Sequence, residues 1–203
     1  MFSAEFLLTS LIVVLIPGTG VVFTVSTGLT LGRRASFYAS LGCTLGIVPH
    51  LLATALGLAA VMHTSALAFQ LLKYAGVAYL FYLAIATWRD HSVFEPQTIH
   101  RASAISLVTR AFLLNIFNPK LTIFFLAFLP QFVQPGTASP LLQLFGLSAM
   151  FMVMTFVIFV LYGLLAHAFR RSVIESPHVQ DWLRRSFAVA FAGLGAQLAF
   201  AER

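Results

Sequence analysis

Asn115, Asn118, Pro119 and Lys120 interrupt an otherwise apolar run, "FLLNIFNPKLTIFFLAFLP", over residues 112–130. Pro119 has no N–H, its ring clashes with the carbonyl of Asn115 one turn earlier, and it pushes Asn118 out of helical dihedrals. A second interruption, "PGTG" at 17–20, acts in the same way on the carbonyl of Val13, with Gly18 and Gly20 loosening the chain further. A helix that restarts after such a break points free N–H groups and a partial positive charge into the gap. Lys120 adds a full charge there. Together these groups suit an anion such as a carboxylate, while the carbonyls of Val13 and Asn115 and the side-chain amide of Asn115 suit an ammonium. Pro17, Gly18, Gly20, Asn115, Asn118, Pro119 and Lys120 are therefore the candidate substrate-binding residues.

The plainer account of a proline in an apolar helix is a structural kink. Lys120 resists that account, because a lysine deep in a span costs about 2.5–3.5 kcal/mol on insertion scales. Lys73 lies nearer a span end, where its stem can snorkel, and Arg110 reads as an interface anchor. "GCTLGIVPHLLATALG" (42–57) puts Gly42, Gly46, Pro49, His50, Ala53 and Gly57 on one small-residue helix face, which lets another backbone approach closely. His50 is then turned toward protein. Histidine is the side chain that changes charge near physiological pH, so His50 is the candidate for proton coupling. A packed, hydrogen-bonded histidine is the alternative.

The solvent around these residues follows from composition. Only 9% of the 203 residues are charged, against 60% hydrophobic and 14% aromatic, whereas soluble domains carry about 25% charged residues. The sequence reads as an all-α integral membrane protein. A net charge of +6 comes from thinly spread cations at segment ends, which anionic headgroups explain better than nucleic acid does. No basic region precedes the first apolar run, so residues 6–27 read as a retained span.

Breaking the apolar runs at charges and turn-formers gives six spans of roughly 20 residues, at about 4–27, 37–62, 66–88, 104–131, 140–168 and 184–201. Arg33 and Arg34, Arg89 and Arg101, and Arg170, Arg171, Arg184 and Arg185 fall in alternate connections, while "MHTSA" and "QFVQPGTASP" have no Lys or Arg. The cation-bearing side is then cytoplasmic, and both termini face outward. Three spans per half make the second half run inverted. A single transmembrane domain, 1–203, would contain repeats at 1–90 and 101–203, each with a break in its first span. Paired breaks of this kind point to a transporter's binding site.

All six acids, Glu5, Asp90, Glu95, Glu175, Asp181 and Glu202, lie in loops or at span ends. A carboxylate proton relay and a divalent-metal site therefore lack their ligands, and a pocket dedicated to lysine or arginine lacks a counter-acid. Cys43 is the only cysteine, which excludes dithiol redox chemistry. A lipid-phosphate enzyme would need Arg, His and acids clustered at one face, and none are.

At these motifs the chain resembles the LysE/RhtB family of bacterial amino acid exporters over nearly its whole length. "PGTG" is similar to that family's PGP-type signature, and "GLTLGRRASFYASLGCTLG" (28–46) stands where members show a basic loop and a Gly-rich second span. "LLKYAGVAYLFYLAIATWR" (71–89) matches the third helix, "FLLNIFNPKLTIFFLAFLPQF" (112–132) the most specific motif, and "FAGLGAQLAF" (191–200) the last helix. The resemblance implies proton-driven export of amino acids or close derivatives across the inner membrane, leaning to neutral substrates, with Pro17, Gly18, Asn118, Pro119 and Lys120 at the site. Three positions depart from the family pattern: Thr19 for a second proline, Ile47 for a frequent Asp, and Gln197 for a frequent Arg. With Ile47 in that place, proton coupling falls to His50. The expected partners are a small-molecule amino acid and the lipid bilayer, with a homo-oligomer open, and no enzyme activity, nucleic acid, cofactor or metal. Export of another small solute or a metal ion by the same architecture, or a non-transporting membrane subunit, are the alternatives.

Overall fold

The computed structural model describes residues 2–16, 18–61, 103–134 and 138–168, with scattered positions between 74 and 89 and between 176 and 199. The described residues are helical, with no strand among them. The first broken span is α1 (Ala4–Leu15) and α2 (Thr19–Leu31), followed by α3 (Arg33–Leu45) and α4 (Val48–Val61). The second is α5 (Ala104–Ile116) and α6 (Pro119–Ile123), continued by a π-helical turn at Phe124–Phe128 and a 3-10 turn at Leu129–Phe132. A long helix, α7 (Pro140–Ala168), completes the described bundle.

Two stretches, Arg33–Gly57, which runs through a turn at 46–47, and Pro140–Ala166, are long and apolar enough to cross a membrane. Two more qualify when each bent pair counts as one span: α1 with α2, and α5 with Lys120–Phe132, both bent by 55°. These four correspond to the expected spans that begin at 4, 37, 104 and 140. The expected spans 66–88 and 184–201, together with Pro17 and Lys73, fall wholly or largely outside the described residues.

The boundaries differ from expectation in one instructive place. Arg33 and Arg34 were expected in a loop, yet they form the first turn of α3. The joint between α2 and α3 is Gly32 alone, at φ 86°, a backbone conformation that glycine adopts without a side-chain clash. Serines cap both broken spans at their N-terminal ends. Ser3 Oγ accepts from Phe6 N at 3.1 Å and Ser103 Oγ from Ser106 N at 3.2 Å, each satisfying an orphan donor of a first turn.

Helix α3 is the centre of the packing, against α2, α5 and α7. Small residues allow the close crossings: a Cβ on Gly42 would collide with the carbonyl of Val108, and one on Gly28 would stand 2.7 Å from the Gly163 oxygen. The interior holds Phe6, Val13, Ile16, Ile47, Phe125 and Phe151. Ile105, Phe117 and Leu56 are instead 79%, 78% and 74% exposed, which a bilayer tolerates where water does not.

Candidate functional site

The two breaks meet. Asn118, at φ −80° and ψ 105°, caps α6, its Oδ1 accepting from Lys120 N at 3.1 Å. Pro119 opens that helix at a position where its missing N–H has no acceptor to serve. From this start the Lys120 side chain reaches across to the end of α1. Its Nζ donates to the carbonyls of Val13 at 2.9 Å and Ile16 at 2.7 Å. Lys120 is only 7% exposed, so both acceptors are reached in the protein interior. They are the last carbonyls of a helix, where the backbone dipoles sum to a partial negative charge. Tyr162, from α7, donates its hydroxyl to the Leu15 carbonyl at 2.7 Å and completes the same helix end.

The end of α5 is finished in the same way by the other half of the chain. The carbonyl of Asn115, which the break leaves without an i+4 donor, accepts from Asn118 N at 3.1 Å and from His50 Nε2 at 3.0 Å. Each break thus receives a basic side chain from the opposite half: Lys120 serves α1, and His50 serves α5.

Asn115 ties these groups together. Its Nδ2 donates to the Cys43 carbonyl at 2.6 Å, and its Oδ1 accepts from Asn118 Nδ2 at 3.3 Å. Two glycines make room for it. A Cβ on Gly20 would lie 2.6 Å from Asn115 Oδ1, and one on Gly46 would lie 2.7 Å from Asn115 Cβ. Gly18 runs beside Lys120, where a Cβ would touch Nζ at 3.4 Å. Thr19 Oγ1 donates to the Leu114 carbonyl at 3.4 Å, a link that a proline in its place could not make.

Asn118 and Lys120 are therefore in direct contact with the groups expected around them, and Gly18, Gly20 and Asn115 lie among them. Pro17 lies outside the described residues, and of Pro119 only the backbone enters. The expectation that the Val13 and Asn115 carbonyls await an ammonium meets a different arrangement, since Lys120 and His50 already hold them. Val13, Val14, Asn115, Asn118, Lys120, Leu121, Phe151, Thr155 and Phe159 line a space of about 10 Å³, room for about one water molecule.

The helix face expected around His50 is only partly realised. Gly42, Gly46 and His50 are buried, but Ala53 is exposed and Thr54 is buried in its stead. The cause is a tight turn at Gly46–Ile47, where Ile47 N donates to Thr44 O at 3.1 Å; Pro49 cannot donate to Leu45, so α4 restarts in a new phase. Ile47 itself is 0% exposed and packs in the core. Sequence reasoning missed Ile16, Cys43, Tyr162 and Thr122 as participants. Thr122 Oγ1 lies 3.5 Å from His50 Nδ1 and 3.3 Å from the Asn118 carbonyl. Among the described residues, no group of three or more His, Cys, Asp or Glu side chains comes together to hold a metal.

Comparison with known proteins gives this geometry its context. An uncharacterised membrane protein of Vibrio cholerae is 35% identical over 97% of this chain and 96% of its own length. The homoserine/homoserine lactone efflux protein of Salmonella typhimurium is 32% identical over 97% and 95%. A leucine efflux protein of Klebsiella pneumoniae is 25% identical over 96% and 92%. No solved structure matches the chain. The sequence profile of the LysE type translocators matches residues 11–202, which include both breaks, His50 and Lys120. This chain belongs to the LysE type translocator family, membrane proteins that transport and do not catalyse a reaction.

Proposed function

We propose that the chain exports amino acids or close derivatives from the cytoplasm across the inner membrane, as a proton-driven secondary transporter leaning to neutral substrates. The carrying observation is Lys120, a basic side chain buried between two broken helices and held by main-chain carbonyls, not by a carboxylate. A helix end that accepts an ammonium and a helix start that favours an anion, both created where a broken span bends by 55°, are the two halves of an amino acid site. Pro17, Gly18, Gly20, Asn115, Asn118, Pro119 and Lys120 form that site once it opens. The substrates named for the relatives, homoserine, its lactone and leucine, all carry a primary amine, and the lactone has no carboxylate.

Six spans in two inverted repeats, 1–90 and 101–203, with both termini outside, complete the reading. It is supported by the matched features of α1 and α5: a serine cap, a break with a 55° bend, and a basic side chain from the other half. Arg185 lies over the Trp88 ring at 5.8 Å, in keeping with the third and fifth connections sharing one face. Arg33 and Arg34 line one pocket with Leu164 of α7, which supports the start of α3 lying at that face too. The proposed face is cytoplasmic.

Proton coupling runs through His50. A carbonyl can only accept, so Nε2 carries a proton toward Asn115. In the neutral ring Nδ1 is an acceptor that competes with the Asn118 carbonyl for the single Thr122 proton. In the charged ring Nδ1 donates to Thr122, which donates to Asn118, and every group is satisfied. The test of transport is efflux from cells loaded with a panel of dipeptides, comparing wild type with Lys120→Ala at equal membrane abundance. Lys120-dependent efflux of one amino acid class is expected; no efflux of any panel member would overturn the reading.

A further inference from the structure

The Lys120 ammonium raises a question that transport alone does not answer. A lysine at a closed substrate site could point anywhere its stem allows, yet it sits at 2.7 and 2.9 Å from two carbonyls at the end of α1. A primary ammonium held by helix-end carbonyls is also how the amine of an amino acid would be bound. We infer that Lys120 is an internal stand-in for the substrate's amine, and that the Val13 and Ile16 carbonyls are the subsite for a primary ammonium. This rests on the export reading above and deepens it by naming the group the site requires.

Three observations carry the inference. First, the space around Nζ is about 10 Å³, so lysine and ligand cannot occupy it together; a ligand amine enters only as Nζ leaves. Second, the hydrogen bonds of the lysine lie at its backbone N and at Nζ, with only hydrocarbon between them. Lys120 N is fixed by Asn118 Oδ1, while the four-carbon chain between this anchor and Nζ is flexible. Third, the surroundings suit the remainder of such a ligand. Val14, Leu121, Phe151 and Phe159 offer apolar walls, and the Asn115 and Asn118 side chains offer polar groups.

The exchange conserves charge in the subsite. One ammonium replaces another at the same carbonyls, so α1 keeps a cation at its negative end throughout. The displaced Nζ turns to the ligand's carboxylate where there is one. Recognition is then layered: the amine is required, and the carboxylate is secondary. Ligands of this class are small primary ammonium compounds, the α-amino acids and their carboxyl-blocked derivatives.

The experiment is binding to the purified, full-length protein in detergent, using two sets of probes. One is L-leucine, leucine methyl ester and 2-hydroxy-4-methylpentanoate; the other is L-homoserine, its lactone and 2,4-dihydroxybutanoate. In each set the second probe lacks a free carboxylate and the third lacks the amine. The carboxyl-blocked probe is expected to bind within about tenfold of the amino acid, and the hydroxy acid more than about a hundredfold more weakly. Lys120→Met, whose unbranched side chain lacks the ammonium, is expected to bind the amino acid at least as tightly as wild type and to lose the preference for a free carboxylate. A merely structural lysine would not move that preference. Equal binding of amino acid and hydroxy acid overturns the stand-in role and leaves the export reading in place. Binding of neither amino acid overturns the export reading, and the inference with it.

Discussion

The Nζ of Lys120 stands 2.7 Å from the carbonyl oxygen of Ile16, joining the start of α6 to the end of α1. Removing this side chain leaves the Ile16 and Val13 acceptors buried and without their donor, at about 1–3 kcal/mol for each unsatisfied group. Lys120→Ala is expected to insert into the membrane and to lose export altogether. Its stability to unfolding in detergent should be about 2–6 kcal/mol lower than that of wild type. A correctly inserted Lys120→Ala protein that exports at the wild-type rate would remove Lys120 from the site.

His50 has a different consequence, because its protonation alters hydrogen bonding and not only packing. His50→Ala is expected to uncouple transport from the proton gradient. His50→Gln can keep an N–H donor for the Asn115 carbonyl but has no second ring nitrogen to accept a proton; it should fold and export, with a rate that no longer responds to an imposed proton gradient. Export assayed in vesicles with and without such a gradient checks this, and an unchanged response in both variants would refute the role.

Gly20 and Gly57 form a matched pair of substitutions. A methyl on Gly20 would fall 2.6 Å from Asn115 Oδ1, with Phe159 at 3.1 Å and Cys43 Sγ at 3.2 Å, whereas nothing lies within 4 Å of one on Gly57. Gly20→Ala should cost about 1–3 kcal/mol by overpacking and lower the amount of folded protein. Gly57→Ala should be neutral or stabilise by up to about 1 kcal/mol, since alanine is the better helix former. Thermal unfolding of the two variants side by side decides the matter; equal effects would mean that the crowding at Asn115 relaxes freely.

Thr19 is the first residue of α2, a position where proline's missing N–H costs nothing. Thr19→Pro would break its long 3.4 Å bond to the Leu114 carbonyl. That variant is expected to accumulate normally and to export within about twofold of wild type, as fits a net hydrogen-bond contribution near 1 kcal/mol or less. A complete loss of export would assign Thr19 a part in the transport cycle itself.

How much of this was legible beforehand depends on where each interaction is encoded. Pro119 announces a freed carbonyl at Asn115, because the loss of its N–H is local chemistry, and Asn118 announces the cap that follows. Lys120 stands out because a cation in an apolar run is expensive. What occupies the freed carbonyls was not legible. Every residue carries an acceptor, and only the fold determines that Ile16 meets Lys120 or that Leu15 meets Tyr162. The phase of α4 was hidden for a related reason, since the small-residue face presumed an unbroken helix and the turn at Gly46–Ile47 rotates it. The one-residue joint at Gly32 was masked by its neighbours, as two arginines resemble a loop as readily as a first helical turn.

The crossed pairing of basic side chains and helix ends also imposes an order in time. Val13 precedes Lys120 by 107 residues, which at about 5–20 residues per second is roughly 5–20 s of synthesis. Throughout that interval the nascent first span has its Val13 and Ile16 carbonyls without the donor that will finally bond them, and His50 has yet to meet the carbonyl it will bond. The first half of the chain thus leaves the ribosome able to enter the bilayer but unable to complete its own broken helix, and neither half becomes finished until both have been made.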